Sequence, residues 1–167
     1  MPDTRSDAAA EVRRPSAWAQ VAATALVFFG GAAAGTTLAA YAAPGSTLAQ
    51  VVAFLALPLA LVTGFQLWLG AALLLLLPRL VRAIRRREWR PDVRTPPEEV
   101  LFVPPGHAVF VVTGAGWGSI AGLVVGLVPS AHSFLGAAGA FVALGVGYGL
   151  LTRELARAGL LPFPDEG

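Results

Sequence analysis

Side chains able to do acid, base or nucleophilic chemistry are few and widely spaced in this sequence. Histidine, the commonest ligand of haem and metals and the side chain that titrates nearest neutrality, occurs at His107 and His132 only. Ser130, His132 and Ser133 form the one place where hydroxyls stand beside an imidazole, but no acid lies near them to orient the ring, so a catalytic triad is not expected. The chain has no cysteine and so no disulfide, thiolate ligand or thiol nucleophile. No cluster of His, Asp and Glu suggests a metal site, and no catalytic residue, cofactor or metal is expected. Gly114-Ala115-Gly116-Trp117-Gly118 resembles a phosphate-binding glycine loop only superficially, since it sits within a long apolar run and not after a strand.

What must position these residues is a lipid-embedded bundle. The 167 residues are 56% hydrophobic and 13% charged, far from soluble usage. No Asp, Glu, Lys or Arg occurs from Pro15 to Pro78 or from Val100 to Thr152. A helix crosses the roughly 30 Å hydrocarbon core in about 20 residues, so each stretch holds two crossings and a turn. Pro44-Gly45-Ser46 and Pro129-Ser130 supply the turns. Outer-membrane strands would show segments of alternating polarity, which are missing. The expected fold is therefore an all-α integral membrane protein of four transmembrane helices in two helical hairpins, 17–78 and 107–152, with crossings at about 17–43, 48–77, 108–128 and 134–151.

Orientation follows from arginine. All 12 basic residues are Arg, and they fall in the N-terminal tail, between Arg79 and Arg94, or at the C-terminal end. The positive-inside rule then puts the 1–16 tail, the 79–106 linker and the 153–167 tail in the cytoplasm, with the membrane expected to be the cytoplasmic (inner) one. Basic charge confined to one face of a membrane protein does not imply nucleic acid. Arg13-Arg14 ahead of an apolar run that ends near Ala40-Tyr41-Ala42 also has features of a secretory signal. The run is longer than the usual 7 to 15 residues, and the first helix is expected to be retained.

The linker reads in two parts. In the first, Leu80, Val81 and Ile84 share one helical side, surrounded by Arg79, Arg82, Arg85, Arg86, Arg87 and Arg90, with Trp89 suited to the headgroup layer. This pattern fits an interfacial segment holding anionic lipid headgroups or a partner, and equally a plain stop signal for translocation. In the second, Thr95-Pro96-Pro97-Glu98 has the spacing of a capping box, so a short helix carrying Leu101-Phe102-Val103 is expected.

The most specific pattern is a glycine zipper in the third crossing, where Gly114, Gly118, Gly122 and Gly126 recur every four residues, with Gly116 and Ser119 beside them. In lipid, helices gain little from hydrophobicity when they associate, and close backbone approach becomes a main source of attraction. This ridge should be a helix-packing surface. So, more weakly, should Gly31 and Gly35 in the series Ala23, Val27, Gly31, Gly35, Ala39, Ala43 of the first crossing, and Gly136, Ala140, Gly145 and Gly149 of the fourth. Packing within the bundle, packing on another subunit and lining a pore all remain open. Shifting the chain by 83 positions lays Gly31 and Gly35 on Gly114 and Gly118, the trace of a parallel repeat.

The second crossing is longer than the bilayer core requires, which tilt, a kink at Pro58 or burial of Leu73 to Leu77 against protein would absorb. Thr63 and Gln66 share a side of it and should hydrogen-bond to another helix. Because no crossing carries a charge of the kind that marks pumps and coupled carriers, the expected function is a non-catalytic anchoring or scaffolding subunit of a larger membrane complex, associating with other membrane subunits or with itself. A small homo-oligomeric channel or facilitator for an uncharged or small solute is the expectation of a different class.

Overall fold

The computed structural model describes residues 15–86 and 106–161, all helices and connecting turns with no strand among them. There are four helices, α1 (Ala17–Ala42), α2 (Thr47–Arg86), α3 (Ala108–Leu127) and α4 (Phe134–Arg157). Each contains a stretch long and apolar enough to cross a membrane: Ala17–Ala42, Thr47–Gly70, Ala108–Leu127 and Phe134–Arg157.

Short polar side chains set the helix starts. The Ala19 amide donates to Ser16 Oγ at 3.2 Å, Ala49 to Ser46 Oγ at 3.2 Å and Gly136 to Ser133 Oγ at 3.2 Å, each satisfying an amide that the first helical turn leaves unpaired. Between α1 and α2 the chain reverses through Gly45 with φ of 75°, a conformation that glycine adopts without strain. Gly159, with φ of 68°, stops α4. The Gly159 amide donates to the Ala156 carbonyl and the Leu160 amide to the Leu155 carbonyl, both at 3.0 Å, which is the paired closure of a Schellman end.

Two helix ends differ from expectation. α4 runs six residues past Leu151 because Thr152 to Arg157 are acceptable helix formers, with Arg157 and Glu154 paired at 3.3 Å. Charge marks where lipid ends, not where a helix must. α2 is a single helix of 40 residues that passes through Pro58 and Pro78 and takes in the Arg79, Arg82, Arg85 and Arg86 positions. A proline withholds one N–H from the ladder, and the turns on either side carry the helix through. The positions of Arg87, Trp89, Arg90 and the Thr95 capping box lie outside the described residues.

Helix order is legible from close contacts. Gly35 approaches the backbone of Ala53, so α1 packs along α2. Gly64 faces Phe110 and Thr113, bringing α2 against α3. α3 and α4 touch along their length. One buried cluster, with Ala39, Ala49, Ala53, Ala121, Val125 and Phe141, fills the end of the bundle near the two tight turns. A second, with Val27, Leu57, Leu61, Phe110, Tyr148 and Leu161, fills the other end. The apolar residues Leu26, Phe29, Val112, Leu127, Leu135 and Leu151 face outward, as a lipid-embedded surface requires and a water-exposed one does not tolerate at this density.

Candidate helix-packing site

The α3 glycines stand against α4 of the same chain. A methyl carbon placed on Gly122 would lie 2.8 Å from the Ala138 Cα, and one on Gly126 2.8 Å from the Phe134 ring. At Gly114 it would meet the Gly145 carbonyl oxygen, and at Gly118 the Phe141 carbonyl oxygen. From the other side, Gly145 approaches the Gly114 carbonyl and Gly149 the Phe110 carbonyl, with the Val111 Cα 2.6 Å from where a methyl would sit. The pairing Gly114 to Gly145 and Gly149, Gly118 to Phe141 and Gly145, Gly126 to Phe134 is an antiparallel register. Main chain rests on main chain at four successive levels, and no side chain can be added at these seam glycines without moving the opposite helix.

The α1 glycines do different work. Gly35 brings α1 onto the Ala53 carbonyl of α2. Gly31 makes room for a ring: a methyl there would lie 2.7 Å from Tyr148 Cε2. That space lets Tyr148 reach across from α4, where its hydroxyl donates to the Val27 carbonyl at 3.1 Å. A buried phenol needs such a partner. Val27, Gly31, Gly35, Ala39 and Ala43 are all buried, whereas in the α4 series Gly145 and Gly149 face α3 and Gly136 meets only Ser133.

Polar links tie the helices at several depths. Trp117 Nε1 donates to Thr63 Oγ1 at 3.1 Å, joining α3 to α2. Gln20 Nε2 donates to the Gly159 carbonyl at 3.0 Å, joining the start of α1 to the end of α4. At the opposite end the His132 amide donates to the Ala42 carbonyl at 3.0 Å, and the His132 ring meets Tyr41 edge-on with centroids 6.4 Å apart. Thr63 thus has its interhelical bond. Gln66, placed with it by sequence, is exposed on α2 and has no hydrogen-bond partner among the described residues.

The histidines are at opposite ends of α3, roughly 30 Å apart for a helix of this length. His107 is 2% exposed at the start of α3, and His132 is exposed in the turn before α4. They cannot act on one substrate or bind one metal. Among the described residues no three His, Cys, Asp or Glu side chains gather into a metal-binding group. Arg153 of α4 is half-buried, with its Nε enclosed and unpartnered among the described residues.

No family model, curated protein or solved structure matches the chain.

Several of these contacts have no sequence motif. Tyr148 was signalled only by being a lone phenol in an apolar run, Gly64 only by being one of two glycines in α2, with Gly70, and Ala53 not at all. A helix carbonyl becomes a partner when the opposing residue is glycine, and nothing in the identity of the carbonyl's own residue reports it.

Proposed function

We propose that this chain is a non-catalytic multi-pass membrane protein that anchors or scaffolds a larger membrane assembly. It sits in the cytoplasmic membrane as two hairpins, α1–α2 and α3–α4, with both termini and the linker at the cytoplasmic face. The distribution of arginine supports this orientation. In this arrangement Pro44 and Pro129 mark the far side, and the arginines from Arg79 to Arg90, with Trp89, lie at the anionic headgroup layer.

The observation that carries the reading is the α3–α4 seam. A carrier needs helices that slide or part, but sliding α3 on α4 would drive Gly114, Gly118 and Gly122 into carbonyl oxygens and Cα atoms at several levels together. Such a pair acts as one rigid piece. Its outer faces are apolar, and Trp117 and Tyr148 tie it to α2 and α1, which suits a part that holds position in an assembly.

Purification in mild detergent tests this. A different polypeptide recovered in fixed stoichiometry supports the subunit role. A closed homo-oligomer that passes an uncharged solute when reconstituted alone into liposomes replaces that role with the channel reading. Single cysteines at Ser46 and Ser130 should be labelled from outside the cell and one at Thr95 only after permeabilisation, and external labelling of Thr95 would reverse the orientation. The native chain has no cysteine to interfere.

A further inference from the structure

We draw no further inference here: the strongest candidate, the half-buried Arg153 side chain one turn past Gly149 on α4, has its Nε enclosed and unpartnered among the described residues, but an enclosed nitrogen is closed to a ligand as well, and nothing in the structure shows what meets the rest of the guanidinium.

Discussion

The α3–α4 and α1–α2 pairs solve the same packing problem with different means. In α3–α4, glycine answers glycine: Gly114 and Gly118 face Gly145, and Gly149 lies on Val111, so two backbones touch at successive levels. In α1–α2 there is one such contact, Gly35 on Ala53, with Gly31 turned toward Tyr148 of α4, and aliphatic side chains such as Val27, Ala39, Ala49 and Leu57 fill the cores beside it. The first pair gains from many short contacts and has no freedom to adjust. The second is held partly by a side chain from another helix and can relax. Both pairs come from similar-looking small-residue spacings, so spacing reports that a close approach exists and not what it approaches.

The contrast predicts a ranking of substitutions. The largest loss belongs to Gly145→Ala, whose methyl would run into the Gly114 carbonyl, with the Gly118 Cα 3.1 Å away. Neither neighbour is a flexible side-chain end, so the cost should reach or exceed the about 1–3 kcal/mol usual for overpacking, seen as a lower unfolding temperature in detergent. Gly35→Ala should come next. Its methyl meets the Ala53 carbonyl, but α1 has no second contact of this kind on α2 and can shift away, so a loss near the low end of that range is expected in the same assay.

Tyr148→Phe removes one bond and keeps the ring that fills the space over Gly31. Its cost should be on the order of 0.6–1 kcal/mol, the scale of an interhelical hydrogen bond in a membrane, with no change in the α3–α4 register. Smallest of all are Gly139→Ala and Gly147→Ala. A methyl at either has no atom within 4 Å, and unfolding temperatures should stay unchanged or rise slightly because alanine favours helix. A clear loss at Gly139 or Gly147 would mean that the outer face of α4 is covered by something else.

Much of this architecture can be read from the sequence, because the features that specify it are local. Long charge-free runs and the turns Pro44-Gly45-Ser46 and Pro129-Ser130 place the four helices to within a residue or two, apart from the ends of α2 and α4. Those two helices run on past the expected crossings, because a crossing ends where charge begins and a helix need not. Pro78 and the arginines after it lie on continuous helix, as do Arg153 and Glu154. The candidate site was half legible. The ridge on α3 is a one-dimensional pattern, whereas its partner depends on rotation and register: Gly145 and Gly149 oppose it, and Gly136, which has similar surroundings in sequence, does not. Tyr148 reaching the Val27 carbonyl across a gap left by Gly31 depends on three residues spread over two helices, and no spacing rule contains it.

Gly116 and Gly118 allow the most direct test, since they lie two residues apart on α3, share surroundings in sequence and differ only in what they face. A methyl at Gly118 would meet the Phe141 carbonyl, whereas one at Gly116 has no atom within 4 Å. Thermal unfolding of Gly118→Leu and Gly116→Leu in the same detergent, each at several protein concentrations, isolates the seam, because leucine favours insertion equally at both positions. A large fall in unfolding temperature for Gly118→Leu alone, independent of concentration, is the result expected of a ridge closed within one chain. Equal effects at the two positions, or a fall at Gly118 that disappears on dilution, would show that α4 does not cover the ridge and would contradict the packing described for the whole molecule.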